Sequence, residues 1–456
     1  MTQSPDSFVV RPLFSTRKIV HMSMLGFAFL LPFLTWTQAA GAAVLALIFN
    51  LFILPRLQVD LGKRPASEAA APTPGIWTGI VLYPVSVLAL ILLFRHSIHV
   101  VAAVWAIMAL GDGLASVVGE FVGGTPLPYN GEKTWAGFWT FVLAGTTGAY
   151  VLTRWVNPSL EPNKVLMVCA ATALVGAIIE SLPIRLDDNA TVPLICGVFM
   201  FAAYLVERSA LDSNLPYLGR RIILAVGINL AFALVARGLK LISLSGALVG
   251  FFLGVAVYLG YGWKSFLLLL AFFVLGSIAT RLGYAKKAAR GIAERRGGAR
   301  SWREALANTL AGAFCSILVI TTHYESAFLV ALIAAFSEAA GDTVSSEIGQ
   351  WLSGRAYLIT TFRPVPAGED GGMSVAGTAA GFVASALVVA LGYGLRLSSP
   401  GGAAIALAAG VAGNLLDSLL GATLERRGLV TNGIVNFAGT SFAAALAWGL
   451  KVHGWM

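Results

Sequence analysis

The chain has 456 residues, 57% of them hydrophobic and 12% charged, with 50 glycines; an average soluble protein carries about twice that share of charge. These numbers exclude a string of ordinary soluble domains, and the apolar excess excludes disorder. The net charge of +9 fits Lys and Arg gathered on the inner loops of a membrane protein and does not call for a nucleic-acid partner.

Runs of about 20 apolar residues mark about fifteen membrane spans. In chain order they fall near 19–36, 38–54, 76–94, 98–118, 134–153, 163–180 and 191–206, then near 221–239, 243–262, 265–280, 304–321, 326–342, 374–395, 402–421 and 434–450. Arg17 and Lys18 before the first run, with Ala39-Ala40-Gly41 after it, also resemble a signal peptide, but a second apolar run follows at once. The expected class is therefore an all-α polytopic membrane protein with a cytoplasmic N-terminus. With that threading Arg11, Arg17, Lys18, Arg56, Lys63, Arg64, Lys133 and Arg185 fall inside. So does the basic run Arg281, Lys286, Lys287, Arg290, Arg295, Arg296, Arg300 and Arg303. The stretch 207–221 (ERSALDSNLPYLGRR) is the least apolar link near the middle, which gives two domains, 1–210 and 211–456.

Cys169, Cys196 and Cys315 lie in apolar runs without metal-ligand spacing and read as core residues. His21, His96, His99, His323 and His453 are scattered, and His96 with His99 reads as an interfacial pair.

The two halves repeat each other. Residues 111–124, GDGLASVVGEFVGG, match 341–354, GDTVSSEIGQWLSG, without gaps. Gly111, Asp112, Ser116, Gly119 and Gly124 thus correspond to Gly341, Asp342, Ser346, Gly349 and Gly354. Lys133-Thr134-Trp135-Ala136-Gly137 then parallels Met373-Ser374-Val375-Ala376-Gly377, and Ile179-Glu180-Ser181-Leu182 parallels Leu416-Asp417-Ser418-Leu419. Asn189 pairs more loosely with Asn432. The order is the same in both halves, so the duplication is parallel, unlike the inverted repeats of many transporters.

Carboxylates are costly in hydrocarbon and persist where they line a cavity or bind an ion. Asp112, Glu180, Asp342 and Asp417 all fall at the cytoplasmic ends of spans in this threading. An Asp with a second acid nearby can hold Mg²⁺ against phosphate oxygens. Gly111, Gly119, Gly123, Gly124, Gly131 and Gly137 would let backbone N–H groups approach a triphosphate, or would instead pack helices closely. Lys133 offers a mobile charge for phosphate. No GxxxxGK[ST] and no GxGxxG after a strand occurs. The basic run 281–303, present only in the second half, suits either a lipid-facing loop or an acceptor that already carries phosphate.

GDGLASVVGEFVGG, GEKTWAG and ESLPIRLDDNATVP resemble the dolichol kinase and phytol kinase family of CTP-dependent membrane lipid-alcohol kinases. In the second half TRLGYAKKAARGIAERRGGAR, GDTVSSEIG, LITTFRPVPAGEDGG, GNLLDSLLGATLERRG and TNGIVN resemble the phytyl-phosphate kinase family. That family more often carries Ala where Gly341 stands and a small hydroxyl residue where Glu369 stands. The resemblance implies a natural fusion of two transferases. One would phosphorylate phytol or a similar isoprenoid alcohol with CTP, and the other would carry the monophosphate to the diphosphate for prenyl-lipid, tocopherol, quinone or chlorophyll-type synthesis.

By the same resemblance Asp112 would hold Mg²⁺ and Lys133, with Gly111, Ser116, Gly119, Thr134 and Asn189, would meet the nucleotide phosphates. Glu180, or Asp188 beside Asn189, would be a second metal ligand or the base. In the second half Asp342, Glu347 and Asp417 take the acidic roles. Asn308, Ser346, Gly372, Asn414, Ser418, Asn432 and Asn436 are its polar contacts, with Arg363 and Lys286 as phosphate clamps. The partners implied are the alcohol, its monophosphate, a nucleoside triphosphate and the bilayer of a bacterial cytoplasmic membrane or organellar equivalent, with the sites facing the cytoplasm. Two rivals stand beside this reading. A CTP-using cytidylyltransferase would release pyrophosphate, and a transporter would carry ionisable groups near mid-membrane in both halves.

Overall fold

A computed structural model describes residues 16–57, 78–183 and 186–454. Among the cations placed inside, Arg11, Lys63, Arg64 and Arg185 lie outside the described residues. The chain forms two compact units, Met1–Leu205 and Val206–Met456.

The first unit opens with the short helices α1 (Thr16–Ser23) and α2 (Leu25–Ala28), then α3 (Trp36–Ile48) and α4 (Thr78–Leu93). Helix α5 (Ile98–Ala106) runs through a π-helical turn, Ile107–Asp112, into α6 (Gly113–Val122). A hairpin of β1 (Pro126–Leu127) and β2 (Asn130–Thr134) leads to α7 (Trp135–Val156), α8 (Pro162–Ser181) and α9 (Asp188–Leu205). Residues Val100 to Ala109 are buried on every side, as expected of a helix that is apolar all round. Their many alanines let α7 pack against this rod closely enough that a Cβ on Gly148 would collide with Leu110 and crowd Ala106.

The second unit contains α10 (Arg208–Gly238), α11 (Leu244–Tyr261), α12 (Trp263–Arg281), α13 (Tyr284–Ala289), α14 (Trp302–Thr321) and α15 (Glu325–Leu352). A three-stranded antiparallel sheet follows, with β3 (Arg355–Leu358) between β4 (Pro364–Pro366) and β5 (Gly372–Met373). The unit closes with α16 (Val375–Gly394), α17 (Pro400–Leu420), which continues through a π-helical turn at Gly421–Glu425, and α18 (Asn432–Val452). Helix α15 is central: α12, α14, α16, α17 and α18 all pack on it.

The sequence repeat has a structural counterpart inside each unit. The Asp-bearing helix, Ile98–Val122 or Glu325–Leu352, is the most buried apolar span of its unit. A small sheet follows each, and the next helix begins on a hydroxyl cap. Thr134 Oγ1 accepts from Gly137 N at 3.2 Å, and Ser374 Oγ accepts from Gly377 N at 3.1 Å. At both crossings two glycines face each other, Gly119 with Gly137 and Gly349 with Gly377. The second unit differs by a longer loop, which adds the third strand.

Twelve helices among the described residues are long and apolar enough to cross a membrane, against about fifteen expected. The three others expected are also helical. Lys18–Phe33 and Gly79–Leu93 are apolar but shorter. Trp135–Val156 has the length, but its glycines and threonines leave it less apolar than the twelve. The chain is thus an all-α, multi-pass membrane protein.

Candidate active sites

In the first unit the π-helical turn, the end of α8 and the start of α9 bring three acids together. Ligand oxygens of Asp112, Glu180 and Asp188 lie within 4.8 Å of one another. Lys133, on β2, reaches over and pairs with Glu180. Glu180 is nearly buried while Lys133 keeps 42% of its side chain exposed. Burial alone would lower the Lys133 pKa, but Glu180, with Asp112 and Asp188 beyond it, holds the ammonium above the ordinary lysine value. The second oxygen of Glu180 is buried without a hydrogen-bond partner. Asn189 donates its backbone N–H to Asp187 and Asp188, both at 2.9 Å, which fixes the start of α9. Three converging carboxylates with one buried orphan oxygen suit a hard divalent cation such as Mg²⁺.

Several residues expected at this site stand elsewhere or do something else. Ser116 is exposed on α6. Gly111 and Gly119 sit within helical turns, where a Cβ would meet the Phe141 ring and Thr134 Oγ1 respectively; their place is explained by helix packing. Thr134 spends its hydroxyl on the α7 cap. His21, read from the sequence as one of a scattered set, instead reaches the cluster: its Nε2 lies 3.5 Å from Asp112 Oδ2.

In the second unit a cavity of about 320 Å³ opens beside α15. Asp342, Ser346, Glu347, Asn308, Gly372, Asn414, Asp417, Ser418, Asn432 and Asn436, all expected from the sequence, line it. Asp342 on α15 and Asp417 on α17 are in side-chain contact. One oxygen of Asp417 and the amide oxygen of Asn436 are buried without partners. Asn414 donates to the Glu338 carbonyl at 3.3 Å, and Asn436 donates to Asn308 Oδ1 at 3.4 Å, tying α18 to α14.

The loop before β5 closes one side of the cavity. Gly371, at φ +71°, lies so close to the π-helical turn that a Cβ would collide with Ala422 backbone. Glu369 pairs with Arg426 at 3.2 Å. Burial, with Glu369 adding to it and Arg426 opposing, raises the Asp370 carboxyl above its ordinary value. The contact between Asp342 and Asp417 and the orphan oxygen again fit a divalent cation.

Three expectations fare differently here. Glu347 is tied to Lys287 in a buried ion pair, and Lys287 also donates to the Thr280 carbonyl at 2.9 Å. Lys286, one residue away, is exposed, as is Arg363; neither lines the cavity. Among the described residues its one cationic lining residue is Arg300, set against eight acids. Glu338, midway along α15, is buried with neither carboxyl oxygen partnered, packed beside Gly413 and Gly439. The position 230 residues earlier is Met108, so this mid-span carboxyl has no counterpart at the matching position of the first half.

Comparison with known proteins places the chain among membrane proteins. A family described as integral membrane protein DUF92 matches residues 227–444. An uncharacterized membrane protein of Synechocystis is 38% identical over 202 residues, which is 44% of this chain and 78% of the relative. Protein VTE6, chloroplastic, of Arabidopsis thaliana is 35% identical over 213 residues, 45% of this chain and 64% of the relative. A probable chloroplastic phytol kinase 3 of Glycine max is 34% identical over 194 residues, 39% of this chain and 59% of the relative. No solved structure matches.

Proposed function

This chain belongs to the integral membrane DUF92 family, and on that premise we infer that it is a prenol kinase-type transferase with two sites. The first unit phosphorylates phytol or a similar isoprenoid alcohol with CTP, and the second phosphorylates the resulting monophosphate to the diphosphate. Both sites are proposed to face the cytoplasm. The names of relatives in the phytol kinase group support the substrate class. The observation that carries the two-site reading is the recurrence, within each unit, of converging acids around an Asp ten residues before the end of its most buried helix, Asp112 in Ile98–Val122 and Asp342 in Glu325–Leu352.

Phosphoryl transfer asks a protein mainly for positioning and charge neutralisation. A divalent cation held by Asp112, Glu180 and Asp188, or by Asp342 and Asp417, would neutralise phosphate charge. In the first unit Lys133, oriented by Glu180, meets the triphosphate. The alcohol oxygen attacks the γ-phosphorus; a new P–O bond forms, the bond to the β,γ-bridging oxygen breaks, and CDP leaves. The hydroxyl proton passes to a carboxylate of the acidic trio. In the second unit the attacking atom is a phosphate oxygen of the monophosphate, which needs no strong base. Both acceptors keep their tails among the apolar helices while the head reaches the acids.

The test is to incubate the purified protein with phytol or geranylgeraniol, Mg²⁺ and each nucleoside triphosphate in turn. Monophosphate followed by diphosphate, with release of CDP, supports the reading. Release of pyrophosphate assigns a cytidylyltransferase instead. Uptake into vesicles without nucleotide turnover assigns a transporter.

A further inference from the structure

Arg300 is held in place from both ends. Its backbone N–H donates to the Leu241 carbonyl at 3.0 Å, and its carbonyl accepts from Ser243 N at 2.9 Å. Its guanidinium carbon stands 4.9 Å from the ring centre of Phe272 and 6.0 Å from that of Phe273, both on α12. The guanidinium passes over Gly276, where any Cβ would collide with it, and Gly276 also faces Thr343, the neighbour of Asp342. Among the described residues no carboxylate lies within ion-pairing distance of this side chain, and its N–H groups make no hydrogen bond. Glu304, Glu294, Glu347 and Asp342 act on it only at longer range, while burial pulls its pKa below the ordinary arginine value.

A half-buried guanidinium with a planar fork of donors, unpaired and stacked on aromatic rings, is costly to keep and well shaped for a phosphate. We propose that Arg300 binds the phosphate already present on the acceptor, so that the second cavity selects an isoprenoid monophosphate over the free alcohol. The proposal rests on the kinase reading above. The choice of acceptor over donor follows from comparing the units. What they share, the paired acids and the hydroxyl-capped helix after the sheet, serves the substrate they share, the nucleotide. Arg300 comes from the segment 281–303 that the first half lacks, while Lys133 of the first half is replaced by Met373. The cation that differs answers the charge that differs.

The experiment uses the full chain in detergent or nanodiscs, as wild type, Arg300→Lys, Arg300→Gln and Arg300→Ala. Binding of farnesyl monophosphate and of farnesol is measured without nucleotide, followed by KM for each substrate during turnover. The expected result is a loss of monophosphate binding of ten-fold or more in Arg300→Gln, a partial loss in Arg300→Lys, and unchanged farnesol binding. KM for the nucleotide stays within about two-fold. Added guanidinium restores monophosphate binding to Arg300→Ala and not to the wild type. A rise in the nucleotide KM with unchanged monophosphate binding assigns Arg300 to the donor and overturns the proposal, as does equal monophosphate binding in all variants. A wild type that binds the monophosphate through Arg300 without phosphorylating it would sink the kinase reading and leave this one standing. Arg300→Lys, which keeps the charge, covers the case in which Arg300→Gln does not fold.

Discussion

Nε2 of His21 lies 3.5 Å from Oδ2 of Asp112 and 3.0 Å from the carbonyl oxygen of Met108. One imidazole thereby joins α1 to the π-helical turn that presents the first acid. The ring also meets Tyr83 edge-on, at 5.0 Å between centres. The turn is the part of the buried span without regular i to i−4 bonding, so an external partner matters more here than on an ordinary helix.

His21→Ala should therefore lower alcohol phosphorylation several-fold, in line with about 1 kcal/mol for a lost hydrogen bond, and leave diphosphate formation from supplied monophosphate unchanged. Rates of the two half-reactions, measured separately, check this. Equal slowing of both would show that α1 supports the fold at large and has no special place at the first site.

The pairing of Lys133 with Glu180 makes a stability prediction. Lys133→Met leaves a nearly buried carboxylate facing Asp112 and Asp188 with no counter-charge. The loss should be about 1–3 kcal/mol, less than for a fully buried pair because Lys133 is partly exposed. Adding Glu180→Gln should recover most of it. A thermal-unfolding cycle on the two single variants and the double variant measures the coupling; additive losses would mean the contact contributes little.

The duplication predicts separable losses. Asp112→Ala should abolish alcohol phosphorylation while supplied monophosphate is still converted. Asp342→Ala should let monophosphate accumulate. Product chromatography on well-folded variants decides it, and a single substitution that stops both steps would mean one shared site.

Much of this site was legible because acids inside apolar runs stand out. Asp112, Glu180, Asp342 and Asp417 could be named from their cost in a membrane and from the repeat, and Asp188 from the family resemblance of the segment ESLPIRLDDNATVP. Glu338 does not stand out in the sequence because it lies in the run AAFSEAAGD beside Asp342, and only the packing of α17 and α18 shows that its carboxyl is walled in. Lys286 and Lys287 differ by one residue, about 100° of helix, and which of them turns inward depends on where α13 docks on α15. Gly119 could be read as a phosphate cradle or a packing seat, and that choice needs the position of Gly137. Arg300 was one cation among eight in a basic run until the backbone contacts to Leu241 and Ser243 singled it out.

The buried pair of Lys287 and Glu347 separates a structural role from a metal-binding one. Lys287 is fully buried and Glu347 nearly so, and the ammonium's other partners are the backbone carbonyls of Ala279 and Thr280. Glu347→Gln should then destabilise the second unit by about 3–5 kcal/mol, because it strands a charge away from water. Replacing both partners, as in Lys287→Met with Glu347→Leu, should recover most of that loss. A metal ligand would behave otherwise: Glu347→Gln would leave thermal stability nearly unchanged without Mg²⁺ and raise the Mg²⁺ concentration needed for turnover. Unfolding followed with and without Mg²⁺ distinguishes the two, and a metal-independent loss of stability assigns Glu347 to the wall that holds α12, α13 and α15 around the cavity.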